Sequence, residues 1–127
     1  MKNKHLSAEG KGEMDYDYSN DILFFKIKNR EYKKSIELDD LILDIDNEGF
    51  VTGLQIFGAS KMLRIEKDSL RNVKKWSFEI NVEENIITIH LFFEAMKKNK
   101  IVEMGQNIIR ESTSPLSNSQ VSCGVEI

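Results

Sequence analysis

Cysteine occurs once in the 127 residues, at Cys123, so no disulfide can form within the chain and no oxidising compartment is required. Histidine occurs twice, at His5 and His90. A Ser-His-Asp or Cys-His nucleophilic site would have to use one of these, and neither has partners at a suitable spacing. The longest apolar runs, such as Ile22-Leu23-Phe24-Phe25, are too short to cross a bilayer. The first thirteen residues have no apolar core like that of a signal peptide. No glycine-rich phosphate loop of either common kind is present. A net charge of -3 and a pI near 5.5 lack the basic excess typical of a nucleic-acid binder. These absences predict a soluble, cytoplasmic protein without a cofactor, for which membranes and nucleic acid are not partners.

Hydrophobic residues make up 40% of the chain, enough to build a buried core. They are spaced for strands. Met14, Tyr16 and Tyr18 alternate with Asp15 and Asp17, the period of two of a half-buried strand. After the turn residues Ser19-Asn20-Asp21, Leu23, Phe25 and Ile27 share one face and Lys26 and Lys28 the other. Ser35 to Leu38 follows, and then Leu41, Leu43 and Ile45 alternate with Asp44 and Asp46. Asn47-Glu48-Gly49 supplies a tight turn before Phe50, Thr52, Leu54 and Ile56.

A second block repeats the theme. Trp76, Phe78, Ile80 and Val82 alternate with polar residues, and Ile87, Ile89 and Leu91 follow after Glu83-Glu84-Asn85. Val102-Glu103-Met104 echoes Ile36-Glu37-Leu38, and the closing Gly124-Val125-Glu126-Ile127 echoes Gly53-Leu54-Gln55-Ile56. Polar residues interrupt the pattern between Asn107 and Glu111, as expected of an exposed edge strand or a shifted register. Charge divides the chain at the same places. Residues 14–63 carry a net -4, residues 64–75 a net +3 and residues 76–127 a net -3.

The expected fold is mainly β, α+β at most. It has a flexible leader over residues 1–13, a first β repeat over 14–63, a basic connector over 64–75 with a short helix, and a second, diverged repeat over 76–127. The two antiparallel meanders share one core, built on Leu23, Phe25, Ile27, Leu43, Leu54, Ile56, Trp76, Phe78, Ile87, Ile89 and Leu91, because one fifty-residue meander could hardly bury both faces. In this scheme Val125 and Ile127 point inward as Leu54 and Ile56 do, and Gly124 serves the close approach that Gly53 serves.

The stretch from Tyr16 to Ser60 resembles a family of short prokaryotic proteins, domain of unknown function 2283. The residues that carry the resemblance are Tyr16-Asp17, Asp21-Ile22-Leu23, Ser35, Glu37-Leu38, Asp44, Asp46, Glu48-Gly49, Val51, Gly53 and Ala59-Ser60. Ile22 stands where the family has Ala, and Gln55 where it has Glu. The resemblance implies a small β-rich fold without a known catalytic site. Some members lie beside genes for small toxin-like nucleases, which implies an antitoxin or partner-binding role.

Candidate chemistry is sparse. Asp44-Ile45-Asp46-Asn47-Glu48-Gly49 opens like a calcium loop, but Gln55 occupies the twelfth position, where a bidentate Glu is needed, and the flanks are strands; a solvated hairpin turn is expected. No Cys or second His stands at ligand spacing from His90, so zinc is not expected either. Asp39, Asp40, Asp44 and Asp46 form a carboxylate patch, read as a solvated edge that discourages aggregation. Cys123 reads as a small apolar filler, and the basic connector as a solvated helix or linker. No catalytic residue emerges. Phe24, Phe57 and Phe92 fall on the second face of their strands, with His90 beside Phe92, and an exposed apolar strip is what a protein interface needs. A non-catalytic module that binds a protein partner or itself is therefore expected. The alternative is a small-molecule binder or small enzyme with a site at the repeat interface, around His90, Glu94 and the aspartates.

Overall fold

The computed structural model describes residues 5–28 and 30–126. In chain order the elements are β1 (His5–Asp17), β2 (Ile22–Ile27), β3 (Tyr32–Leu38), β4 (Leu41–Asp46), β5 (Val51–Phe57), α1 (Ala59–Leu63), α2 (Lys67–Leu70), β6 (Lys75–Glu83), β7 (Ile86–Lys97), β8 (Lys100–Glu111) and β9 (Asn118–Glu126). The nine strands of the described residues form one sheet in the order β3-β4-β5-β2-β1-β9-β6-β7-β8. Neighbours are antiparallel except β1 and β9, which run parallel. The mainly β class is as the alternation predicts; the connector holds one short helix, α2, and a second, α1, closes the first block just before it.

Alternation places the core. On β6, Trp76, Phe78, Ile80 and Val82 are buried while Lys75, Ser77 and Glu83 are exposed. All eleven core residues named from the sequence are buried. The Phe25 ring on β2 meets Trp76 edge-on at 5.2 Å and Phe78 at 5.1 Å, and Trp76 reaches Phe93 on β7 at 4.7 Å. These contacts join the two halves through one aromatic cluster. Burying each such side chain contributes roughly 1.5–3 kcal/mol.

Two hairpins of the second half close on two-residue turns, Glu84-Asn85 between β6 and β7 and Lys98-Asn99 between β7 and β8. All four residues have positive φ, from 51° to 65°. This is the mirror-image turn whose twist suits antiparallel strands, and Asn at the second position tolerates it.

β1 changes partner midway. Residues 5–11 pair with β9 and residues 12–17 with β2. Gly12 sits at the change, where an added Cβ would lie 3.0 Å from the Phe78 ring and 3.2 Å from both Cys123 and Val125. Its missing side chain lets β1 press onto the core of the second half.

The flexible leader is one expectation the structure does not bear out. The leader over residues 1–13 is strand from His5 onward, and Met1 to Lys4 lie outside the described residues. Its composition argued for a tail because few side chains can be buried; what orders it is the main-chain ladder to β9, which satisfies backbone groups whatever the side chains. The two halves also differ in strand order. β5 lies between β4 and β2, whereas its proposed counterpart β9 lies between β1 and β6. Val125 is buried as expected, but opposite Trp76 on β6, while Leu54 lies opposite Phe25 on β2. Ile127 lies outside the described residues.

Candidate functional site

Among the described residues β8 is an end strand of the sheet, and four of the seven large apolar side chains that are exposed lie on β7 and β8. On β7 the residues at 87, 89, 91, 93 and 95 face the core, leaving Ile86, Thr88, His90, Phe92 and Glu94 on the other side. On β8 the phase is set by register. Phe92 lies opposite Gly105, His90 opposite Asn107, and Thr88 opposite Ile109. Ile101, Glu103, Gly105, Asn107 and Ile109 are therefore outward. Ile101 is 69% exposed, Ile109 62% and Phe92 55%, with Ile86 beside them at the same surface. A Cβ on Gly105 would lie 3.3 Å from two atoms of the Phe92 ring, so the ring rests on bare backbone. Lys75, Ser77, Glu94, Glu103 and Met104 complete a shallow depression of about 360 Å³ around that ring.

His90 shares this face, two positions from Phe92, and its Nδ1 donates to Asn107 Oδ1 at 2.6 Å. Glu94 is four residues further along the same strand, about 13 Å away at the rise of a strand, so the two do not form a pair. Phe57 ends β5 at the surface of the first half, opposite Ile22. Phe24 is only half-buried rather than exposed, flanked by Asp15 on β1 and Gln55 on β5. Strands β1, β9 and β6 separate β2 from β7, roughly 19 Å of sheet at the usual strand spacing. The four sequence-predicted residues thus form two pairs, and only Phe92 and His90 lie on the main apolar surface. Ile86, Ile101 and Ile109 were not singled out in the sequence. The signal available for the last two was the broken alternation from Asn107 to Glu111, which marks an edge strand.

Of the four aspartates only Asp46 departs from the expected solvated edge; Asp39 is exposed, and Asp40 and Asp44 are partly so. Asp46 is buried; its Oδ2 accepts from Arg30 Nε at 2.8 Å and its Oδ1 from the amides of Glu48 and Phe50 at 2.9 and 3.0 Å. Asp44 Oδ1 accepts from Ser35 Oγ at 3.0 Å. Asp40, in the β3–β4 turn, holds Arg110 at 3.2 Å. Hydrogen bonds and ion pairs use these carboxylates to build turns and clamp strands. Among the described residues no three His, Cys, Asp or Glu side chains converge as a metal set.

A second polar cluster brackets the first half. Asp21 accepts from Tyr16 Oη at 2.6 Å, Ser60 Oγ at 2.6 Å and Ser60 N at 3.0 Å. Its carbonyl also accepts from Ala59 N at 3.0 Å, so a residue distant in sequence closes the start of α1. Burial acts to raise the Asp21 pKa, but the hydrogen bonds from Ser60 and Tyr16 outweigh it, and the carboxyl is held below its ordinary value. Burial, and then the hydrogen bond to Asp21, push the Tyr16 phenol well above its ordinary value. Nearby, the Tyr18 ring lies 4.8 Å from Lys67 Nζ and 4.4 Å from the Arg71 guanidinium, and its hydroxyl donates to Asp68 at 3.1 Å. Two of the connector's cations thus dock α2 on the β1–β2 turn. Cys123 is buried, and burial raises its thiol pKa, which disfavours the reactive thiolate. A second cavity, about 440 Å³, lies between the connector and the inner face of β7 and β8, lined by Arg64, Ile65, Ser69, Lys98, Val102 and Met104, with Glu66 and Ala95.

Comparison with known proteins places these clusters. A family model described as "Protein of unknown function (DUF2283)" matches residues 13–60. A Methanosarcina mazei protein bearing the name "Putative hypoxanthine phosphoribosyltransferase" is 37% identical over 91 residues, which span 72% of this chain and 74% of that protein. An uncharacterized protein of Methanocaldococcus jannaschii is 33% identical over 103 residues, 80% of this chain and 84% of that one. No solved structure matches the chain. The family-matched span contains both polar clusters, Tyr16-Asp21-Ser60 and Ser35-Asp44-Asp46, each engaged in holding strands and turns together. From the matched span and the two relatives, the chain belongs to the DUF2283 family.

Proposed function

We propose that the protein is a non-catalytic binding module that recognises another protein chain through the outer face of β7 and β8 and the free edge of β8, and that it acts in the cytoplasm. One observation carries this: Ile86, Phe92, Ile101 and Ile109 are exposed together beside a twelve-residue edge strand. Such a surface offers apolar contact and unpaired backbone groups at once, the two things a strand-adding partner uses. An antitoxin-like role is a form of such binding. The test is a pull-down from the native host with wild-type bait and with Phe92→Lys or Ile86→Lys bait of unchanged melting temperature. A stoichiometric partner held by the wild type and lost by the variants is expected; no partner, or one indifferent to both substitutions, overturns the proposal.

The cavity beside the connector supports a second reading, a small anionic ligand. Arg64 and Lys98 line it together with the Ser69 hydroxyl, over apolar walls. The name borne by the M. mazei relative would make that ligand a nucleotide. Glu66 in the same wall opposes an anion, so this reading ranks second. A thermal shift with purine nucleotides that Arg64→Ala abolishes would promote it.

A further inference from the structure

β8 is symmetric about its own midpoint. From Ile101 to Ile109 it reads Ile-Val-Glu-Met-Gly-Gln-Asn-Ile-Ile, with two aliphatic residues at each end, Glu103 and Asn107 inside them, and Gly105 at the centre. The two most exposed large apolar residues among those described, Ile101 and Ile109, stand equally far from Gly105 on the outward face. Consider an antiparallel copy laid on the free edge with a two-fold axis through Gly105. Outward residues then face outward residues throughout. Ile101 lies opposite the second copy's Ile109, and the pairing occurs twice. Glu103 lies opposite Asn107, and on the inner face Val102 lies opposite Ile108. Lys100 and Arg110 fall opposite each other at the ends, where Asp40 already holds the Arg110 guanidinium. A slip of two residues in the sum places Ile101 opposite Asn107 or Glu111 instead, so this register is singled out. Phe92, resting on Gly105, would bring two rings to flank the axis.

The opposite edge of the sheet is built differently. β3 carries exposed Tyr32, Lys33 and Lys34 and a register irregularity between Tyr32 and Lys34, the devices that blunt an edge against pairing. On β8 the only lysine is at its first position. We propose that the β8 edge pairs with a second copy of this chain, antiparallel and centred on Gly105, joining two nine-stranded sheets. It is proposed on the strength of the protein-binding reading above, and names the occupant of that edge. A partner of different sequence would give no reason for the symmetry about Gly105, whereas in an isologous two-fold contact that symmetry sets the apolar ends of one strand against the apolar ends of the other.

The test is light scattering or sedimentation of the full chain over a wide range of concentration. The mass should rise from 14.7 kDa toward twice that value. Ile101→Lys and Ile109→Lys point outward and should leave the thermal melt at high dilution, where the chain is monomeric, unchanged while weakening the dimer by about tenfold or more, since each sets a charge against an apolar partner. Asn107→Lys, placed opposite Glu103, should tighten it, and Asn107→Glu should loosen it. A monomer of native melt at every concentration overturns the proposal, as does a dimer indifferent to the isoleucine substitutions. Asn107 variants that shift the equilibrium in the same direction overturn the register. A monomer would leave the Phe92 pull-down to decide the binding reading by itself.

Discussion

Gly53-Leu54-Gln55 on β5 and Gly124-Val125-Glu126 on β9 read almost alike, yet their surroundings differ. A Cβ on Gly53 would lie 2.7 Å from Asp44 Oδ2, so the glycine is what lets β4 and β5 close at their irregular step. A Cβ on Gly124 would meet nothing within 4 Å. β5 is enclosed by strands of its own half, while β9 forms the seam between the halves. Alternation specifies that a segment is a strand and which side is buried; it carries little information about which strand comes next to it.

The largest effect should come from the seam. A chain ending at Ser117 loses β9 and with it the burial of Val121 and Val125 and both neighbouring ladders. The side chains alone are worth about 3–6 kcal/mol, against a typical total of about 5–15 kcal/mol, so calorimetry should show no cooperative transition. A native-like melt would mean that β9 is an appendage. Phe25→Ala comes next, at about 3–5 kcal/mol, and should lower one common transition; two separate transitions would show that the halves fold apart.

The glycines sharpen the comparison further. Gly53→Ala should destabilise by about 1–3 kcal/mol, while Gly124→Ala should be neutral or stabilising by up to about 1 kcal/mol, both read from denaturant midpoints. Equal effects would restore the equivalence of the two strands. The smallest destabilisation should be that of Tyr16→Phe, about 1 kcal/mol for a partly exposed hydrogen bond to a carboxylate, and its signature is in the pH profile. The Asp21 pKa is depressed on folding, so its contribution is present above the ordinary value of 3.8 and is lost as the pH falls below it. The Tyr16 pKa is raised, so its contribution holds below 10.0 and fades as the pH rises above that value. The variant should flatten the alkaline loss and reduce the acid one; an unchanged profile would remove Tyr16 and Asp21 from the account.

Much of the framework was legible before the fold. The inward residues of β2, β4, β5, β6 and β7 follow from period two, and the exposed edge at β8 was foreshadowed where polar residues interrupt it. The surface was harder to read. Phe24 occupies an outward position, but its strand lies inside the sheet, where neighbours on both sides half-cover it; Ile101 and Ile109 lie on a strand with one neighbour and stay bare. Exposure therefore depended on strand order, which the alternation did not contain. The same holds for residues 5–13, ordered by a ladder to a strand near the other end of the chain. One carboxylate misled for another reason: Asp46 looks like a solvent group in sequence and is buried because Arg30 and two amides satisfy both its oxygens.

The parallel seam also bears on synthesis. His5 pairs with Asn118 and Lys11 with Gly124, residues more than a hundred positions apart. On a ribosome, β1 and β6 emerge long before the strand that joins them. The first half can form its antiparallel ladders early, but the nascent chain must keep two open edges beside Phe78 and Trp76 until β9 is released. Aggregation in the cell should therefore follow the time spent waiting for that strand, so slowing elongation between β8 and β9 should lower the yield of folded protein without altering its stability.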